Sequence, residues 1–290
     1  MDCDDFYNID AEKTIEFIEK HTIYKKGFTY NKDTRKRISA IIPVHVFGNA
    51  VDFEQLLKIC RERNIRILED ASESLGTIYK NGILSGKHTG TIGDIGCLSF
   101  NGNKIITTGG GGMILTNNEE YAVKAKYLTT QAKNDKLRFI PNDIGYNYRL
   151  TNIQAAIGVG QLENLDKFLK VKRKNYLFLK KEVDKINGLK IADTPDYSHN
   201  NLWLYLLKFD TSIINYEINN LIIKLLENGI QTRPVWYLNH LQKLYKKCRA
   251  YNIQKSIGML NSSICLPSSA NLKKTSVNKI VNSIKQIFKN

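Results

Sequence analysis

The chain has 290 residues, of which 42% are hydrophobic, and a formal net charge of +15. This length is sufficient for one large core or for two domains that share an interface, and it favours a globular protein over a disordered one. No apolar run approaches the ~20 residues that cross a bilayer, so we expect no membrane partner. The acidic start MDCDDF differs from a secretory signal, and we expect a cytoplasmic location.

The excess of lysine and arginine raises the question of nucleic-acid binding, because cations that neutralise phosphates release counterions. The basic residues are spread along helical surfaces such as residues 162–186, without a zinc-finger, helix-turn-helix or RNA-recognition motif. We therefore predict a solvated lysine-rich surface and no nucleic-acid partner. The same positive field suits a small phosphorylated or nucleotide-linked ligand.

The cysteines are odd in number, scattered and without a C-x-x-C pair. This pattern predicts neither a disulfide framework nor a zinc site, and no metal is expected. The residues are Cys3, Cys60, Cys97, Cys248 and Cys265.

The first elements in chain order predict α/β architecture. Residues 10–20 have apolar side chains at helical spacing. The apolar run 38–48 predicts a strand, residues 51–64 predict an amphipathic helix, and residues 65–70 predict a second strand. A strand–helix–strand unit implies a parallel pair with a right-handed crossover.

Two more strands are predicted at 92–100 and 111–116, followed by a helix at 119–132. This places Lys104 on the turn between the two strands. Residues 152–187 predict one or two long helices.

Shorter strands and helices follow from about Leu189, which suggests a smaller C-terminal domain. We therefore predict a large domain at 1–187, including the long connecting helix, and a small α+β domain at 188–290.

The stretch SFNGNKIITTGGGGMILT surrounds Lys104. A P-loop requires its glycines before the lysine, and the Rossmann fingerprint requires a helix after the glycines, so neither motif fits. The strand-like flanks also argue against a linker. Two interpretations remain: a lysine that forms a Schiff base beside space left by the glycines, or a surface hairpin with an incidental lysine.

Asp70, in IRILEDASES, is placed at the carboxyl end of a predicted strand, where ligands bind in open α/β sheets. A pyridine-ring cofactor requires a carboxylate that faces its nitrogen, and pyridoxal phosphate enzymes combine such an acid with a lysine. Asp70 and Lys104 supply this combination. The alternative for Asp70 is an ordinary helix N-cap.

These residues and their surroundings resemble the DegT/DnrJ/StrS family of pyridoxal-phosphate-dependent nucleotide-sugar aminotransferases. PVHVFGNAVDF, EDASESLG, SFNGNKIITTGGGGMI, GYNYRLTNIQAAIG and GIQTRPVW occur in the family's order. The resemblance implies the aspartate-aminotransferase fold (fold type I), with a mainly parallel central sheet in the large domain. It is strongest to the branch that aminates C4 of a nucleotide-linked 4-keto-6-deoxy sugar in surface-glycan biosynthesis, with glutamate as donor.

The resemblance also implies roles for residues that would bind the coenzyme, pyridoxal 5′-phosphate. Lys104 would bind it covalently and move a proton between the coenzyme and the sugar C4, while Asp70 would hold the ring nitrogen. Glu73 would lie near the 3-oxygen, where many relatives have Gln, and would share or give up a proton. Ser99 would donate to the phosphate, and Asn147 would reach the phosphate of a neighbouring subunit in a dimer. For Ser99 and Asn147, ordinary turn chemistry is the alternative.

Further positions resemble the family's substrate region. His45 would lie near the coenzyme and sugar, although a histidine at a strand end is often structural. Arg233, Trp236 and His240 resemble the C-terminal region that closes over the sugar nucleotide. Arg233 could pair with a pyrophosphate and Trp236 could stack, while core packing also explains Trp236.

Family members usually begin upstream of the stretch that matches DDFYNID. The preceding segment normally supplies part of the phosphate site, an aromatic residue that stacks on the coenzyme ring and part of the dimer contact. We expect the chain alone to bind coenzyme weakly, and either a homodimer or a complementing N-terminal chain as partner. The alternative function is an inactive or split-gene fragment that acts only with such a chain, or as a non-catalytic dimer partner.

Overall fold

A computed structural model describes residues 1–135, 137–138, 140–214 and 216–288. The helices are α1 (Ala11–His21), α2 (Glu54–Glu62), α3 (Glu119–Thr129), α4 (Asn152–Leu162), α5 (Leu165–Val183), α6 (Ile218–Glu227), α7 (Lys255–Asn261) and α8 (Lys274–Ile287). The strands of the N-terminal half are β1 (Thr22–Lys25), β2 (Phe28–Asn31), β3 (Arg37–Ile38), β4 (Ala40–Ile41), β5 (Arg66–Asp70), β6 (Ile78–Tyr79), β7 (Ile95–Ser99) and β8 (Gly112–Leu115). Those of the C-terminal half are β9 (Leu189–Ile191), β10 (Ser198–His199), β11 (Tyr205–Phe209), β12 (Arg233–Pro234) and β13 (Ser263–Leu266).

The first main sheet has the strand order β4-β5-β7-β8. β4 and β7 pair parallel to β5, and β8 pairs antiparallel to β7. Helix α2 connects β4 to β5, as the predicted strand–helix–strand unit requires. Its apolar face is buried in a core that also contains Ile67 of β5.

The strand predicted at 38–48 is interrupted. Regular pairing stops at Ile41, and Val44 makes only an isolated bridge to Asp70. Pro43 has no N–H to donate to a sheet. Phe47 then adopts a positive φ of 58° in a short turn and donates its N–H to Glu73 instead of to a strand. The prediction of one continuous strand was therefore wrong.

A small antiparallel sheet of β1, β2 and β3 was not predicted. The two-residue turn Lys26–Gly27 between β1 and β2 has φ values of 53° and 79°, the backbone typical of tight hairpins. The segment was missed because its strands are short and three of the four residues of β1 are exposed, so alternation of apolar residues is weak.

The second main sheet has the order β12-β13-β11-β9, and its neighbouring strands pair antiparallel. Helices α5, α6 and α8 contribute buried side chains to the core beneath it, including Leu179, Leu225 and Ile284, each 0% exposed. Residues 188–290 thus contain both helices and strands, as predicted. The domain boundary at 187/188 stays a prediction.

Among the described residues, no helix is both long enough and apolar enough to cross a bilayer.

Candidate functional site

Two polar side chains lie at the carboxyl edge of the first main sheet. Asp70 ends β5 and Ser99 ends β7, and these strands are parallel, with Asp70 opposite Cys97. Asp70 Oδ1 accepts a hydrogen bond from the Ser72 backbone N–H at 3.0 Å, and Ser99 Oγ accepts one from the Asn101 N–H at 3.3 Å. Asp70 therefore stabilises a tight turn and does not cap an α-helix.

Lys104 lies on the turn between β7 and β8, as predicted, and its backbone N–H donates to the Asn101 carbonyl at 3.0 Å. The side chain is partly buried, and Nζ lies 4.4 Å from the ring centroid of Trp203. The Trp203 indole N–H donates to the Asn103 carbonyl at 2.7 Å. The turn is thus held by a residue of the C-terminal half.

Glu73 links Asp70 and Lys104 electrostatically. It is 9% exposed, and its Oε2 accepts the Phe47 N–H at 2.7 Å. Burial raises the Glu73 pKa to about 7, while the hydrogen bond from Phe47 and the charge on Lys104 oppose the shift and the charge on Asp70 adds to it. The charges on Asp70 and Lys104 thus both act on the Glu73 carboxyl.

Aromatic side chains cover this region. The Trp236 ring lies 5.6 Å from Phe47 and 6.1 Å from Trp203, measured between centroids. A hydrogen bond from the Trp236 side chain also lowers the Glu73 pKa, against the effect of burial. Because Trp236 is 45% exposed, it provides an aromatic surface to solvent beside Glu73.

A groove of about 740 Å³ opens next to these rings, between the N-terminal residues and residues 235–260. Phe47, Trp236 and His240 line it. Lys104 and Asp70 are not among the described residues that line it, but Val44, which is bridged to Asp70, lines it together with Phe47 and Trp236.

Two other residues with predicted roles lie at the surface: Arg233, predicted to contact the substrate, and Asn147, predicted to contact the coenzyme phosphate. Arg233 is exposed on β12, opposite Cys265. Asn147 is exposed, and its Oδ1 accepts a hydrogen bond from Arg149 Nε at 3.3 Å. The predicted roles of these residues stay predictions.

His45 is 0% exposed, and both ring nitrogens have partners inside the protein. Nδ1 accepts the Val51 N–H at 3.0 Å, so Nε2 carries the proton and donates to Glu69 Oε2 at 3.0 Å. This arrangement agrees with the structural alternative. No part of the ring is available to a ligand, and we do not include His45 among the proposed ligand contacts.

Glu69 was not identified from the sequence, although it is 1% exposed. Besides His45, its carboxylate accepts the backbone N–H groups of Gly90, Ile92 and Gly93. The alternation in RILED was the available signal, because it places Glu69 on the buried face with Ile67. Glu69 thereby fixes the loop before β7 beneath the site.

Two of the four glycines after Lys104 approach other protein atoms closely, and two do not. A Cβ at Gly112 would lie 2.5 Å from the Leu98 carbonyl, and one at Gly111 would lie 2.7 Å from Leu150. At these positions, the close approach is to protein atoms. Gly109 and Gly110 face open space.

The side chains at the sheet edge fit pyridoxal 5′-phosphate by their chemistry. Among the described residues, Asp70 Oδ2 accepts no hydrogen bond and Lys104 Nζ donates none. A carboxylate oxygen and an amine therefore retain binding capacity at one edge of the sheet, next to the Ser99 hydroxyl and to aromatic faces. The incidental-lysine alternative does not account for this grouping.

The chain matches the DegT/DnrJ/EryC1/StrS aminotransferase family over residues 1–285. It is 34% identical over 255 residues to EpsN of Bacillus subtilis, described as a pyridoxal phosphate-dependent aminotransferase, covering 86% of this chain and 63% of EpsN. It is also 34% identical over 253 residues to the GDP-perosamine synthase of Escherichia coli O157:H7, covering 87% and 66% of the two chains. The chain thus spans about two thirds of the length of these relatives.

The fold also matches a crystal structure of a DegT DnrJ EryC1 StrS aminotransferase from Brucella abortus. The TM-score is 0.85 at 23% sequence identity, with 100% of this chain and 73% of the other covered. This match confirms the predicted fold class.

Proposed function

Because the chain belongs to the DegT/DnrJ/EryC1/StrS aminotransferase family, we propose that it transfers an amino group from glutamate to C4 of a nucleotide-linked 4-keto-6-deoxy sugar, with pyridoxal phosphate as coenzyme. The observation that carries the proposal is the placement of Lys104 and Asp70 at one sheet edge, each with unused hydrogen-bonding capacity. The similarity to a GDP-perosamine synthase supports a nucleotide-linked sugar as the substrate class.

The proposal assigns each residue a separate task. When bound, pyridoxal phosphate supplies an electron-withdrawing ring that stabilises negative charge on the reacting carbon. Lys104 Nζ would accept and return the proton at that carbon, and the Asp70 carboxylate would hold the ring nitrogen protonated. The Ser99 hydroxyl would donate to the phosphate.

The residues around this pair would bind and orient the ligands. The Glu73 carboxyl would hydrogen-bond the 3-oxygen of the coenzyme, beside the aromatic surface that Trp236 provides. Trp236 would stack on the sugar nucleotide, and Arg233 and His240 would contact its phosphates. Asn147 would act across a dimer contact, and the dimer and the cytoplasmic location stay predictions.

The test compares the wild-type chain with Lys104→Ala. Purified protein is saturated with pyridoxal phosphate, and the visible absorbance of bound coenzyme is followed before and after addition of glutamate. We expect the wild type to form a band that glutamate removes, and Lys104→Ala to form none, because the covalent attachment is lost.

Lys167→Ala is the matched control, since Lys167 is an exposed lysine on α5. It should behave as the wild type. A wild-type band that persists in Lys104→Ala would show that the coenzyme binds elsewhere and would contradict the proposal.

A further inference from the structure

Trp203 is the main contact between the C-terminal half and the Lys104 turn. It lies just before β11 and is 4% exposed. Its indole N–H donates to the carbonyl of Asn103, and its ring face lies 4.4 Å from Lys104 Nζ. One side chain therefore contacts both the backbone and the amine of the lysine turn.

The backbone of Trp203 is itself held on both sides. Its N–H donates to Asn201 Oδ1 at 2.8 Å. Its carbonyl accepts hydrogen bonds from Ser268 Oγ at 2.7 Å and from the buried Lys172 Nζ at 3.2 Å. Because Ser268 and Lys172 lie far from Trp203 along the chain, these contacts fix the Trp203 backbone relative to two other parts of the C-terminal half.

The same segment also holds the loop that carries Glu73. Asn201 Nδ2 donates to the Glu73 carbonyl at 2.8 Å and to the Leu75 carbonyl at 3.0 Å. The Asn201 backbone N–H donates to Thr77 Oγ1 at 3.0 Å. The segment 201–203 thus fixes the Glu73 loop and the Lys104 turn relative to one another.

We propose that Trp203 is a positioning residue that aims the Lys104 amine at the carboxyl edge of the sheet. The hydrogen bond from the indole N–H to Asn103 fixes the position of the turn. The ring face restricts where the Lys104 amine can lie and offers it no hydrogen-bond acceptor. A ring face attracts a cationic amine by its quadrupole but leaves the N–H groups of the amine free for a ligand. This inference rests on the proposed function, because the amine is aimed at the coenzyme.

The experiment measures covalent capture at Lys104, without any transfer reaction. Wild type, Trp203→Phe and Trp203→Leu are incubated with pyridoxal phosphate and reduced with borohydride. The label on each lysine is then measured by peptide mass spectrometry. The circular dichroism of the visible coenzyme band is recorded before reduction, because it reports how rigidly the coenzyme is oriented.

The matched control is Phe209→Leu. Phe209 is 4% exposed on β11 and belongs to the core of the second main sheet, apart from the Lys104 turn. The Phe209→Leu substitution should lower the melting temperature, as the Trp203 substitutions do. Its Lys104 label and dichroic band should stay at the wild-type level.

We expect Trp203→Leu to reduce the Lys104 label by about tenfold and to abolish the dichroic band, because a small displacement of a reacting group has a large effect on rate. The Lys104 label and the dichroic band of Trp203→Phe should lie between those of the wild type and Trp203→Leu, since phenylalanine keeps a ring face and lacks the indole N–H. If Trp203→Leu does not fold, the positioning role is tested by comparing the Lys104 label and the dichroic band of Trp203→Phe with those of Phe209→Leu.

Wild-type labelling of Lys104 in both Trp203 variants would overturn the positioning role and leave the proposed function standing. If Lys104 of the wild type is labelled no more than the exposed Lys167, the proposed function fails, and the positioning role fails with it.

Discussion

Glu73 has an acid–base behaviour that follows from its surroundings. The ordinary pKa of a glutamate is about 4.3, and burial raises that of Glu73 to about 7. A carboxyl group with a raised pKa in the folded state stabilises the fold only while it is protonated. Its contribution is therefore complete below about pH 4, and it is lost as the pH rises towards 7.

Replacing Glu73 with Gln should remove this pH dependence, because an amide does not ionise. Between about pH 5.5 and about pH 8.5, the wild type should lose about 2 kcal/mol of unfolding free energy relative to Glu73→Gln. Urea unfolding of both proteins at the two pH values measures the difference. Glu62→Gln is the control, since Glu62 is exposed on α2. Parallel pH profiles for wild type and Glu73→Gln would show that Glu73 is ionised throughout.

At the scale of residues, the sequence was informative where a chemical requirement was local. A coenzyme role was predicted for Lys104 because it lies on a turn followed by glycines, and for Asp70 because it ends an apolar strand; both roles stay predictions. Trp203 and Glu69 could not be found in this way, because their partners lie far away along the chain. Trp203 contacts Asn103, 100 residues earlier, and Glu69 contacts Gly90 and Gly93 beyond the end of its strand.

At the scale of elements, β7 depends on a glycine that the sequence analysis did not single out. A Cβ at Gly96 would lie 1.9 Å from the Gly90 carbonyl, in the loop whose N–H groups bind Glu69. That contact is with backbone and cannot be relieved by a side-chain rotation. The strand and the loop therefore pack against one another only if residue 96 has no side chain.

We predict that Gly96→Ala lowers the unfolding free energy by about 1 to 3 kcal/mol, the range typical of overpacking. Urea unfolding measures this change. Gly102→Ala is the control, because a Cβ at Gly102 would meet nothing within 4 Å. It should leave stability unchanged or raise it by a few tenths of a kcal/mol. Equal effects of the two substitutions would contradict the packing of β7 against the loop.

The predicted elements were accurate where apolar periodicity was strong. The helix expected at 10–20 is Ala11–His21, and the strands expected at 92–100 and 111–116 are Ile95–Ser99 and Gly112–Leu115. The strand expected at 38–48 was wrong because Pro43 and the turn at Phe47 interrupt it. Periodicity does not report such interruptions, since Val44 and Val46 continue the apolar pattern.

At the scale of the whole molecule, the proposed site depends on both halves of the chain. The lysine turn and Asp70 belong to the first main sheet, while Trp203 and Trp236 come from the C-terminal half. The family and the fold class could be predicted from the order of the motifs in the sequence, while the domain division stays a prediction. The contact between the halves could not be predicted, because it depends on tertiary packing of single aromatic side chains.

The most direct test is a crystal structure of the chain with pyridoxal phosphate. We predict continuous electron density from Lys104 Nζ to the coenzyme and an Asp70 carboxylate oxygen about 3 Å from the ring nitrogen. The account would be contradicted if the coenzyme were bound in the groove lined by residues 235–260, with no density joining it to Lys104 Nζ and no contact between Asp70 and the ring nitrogen.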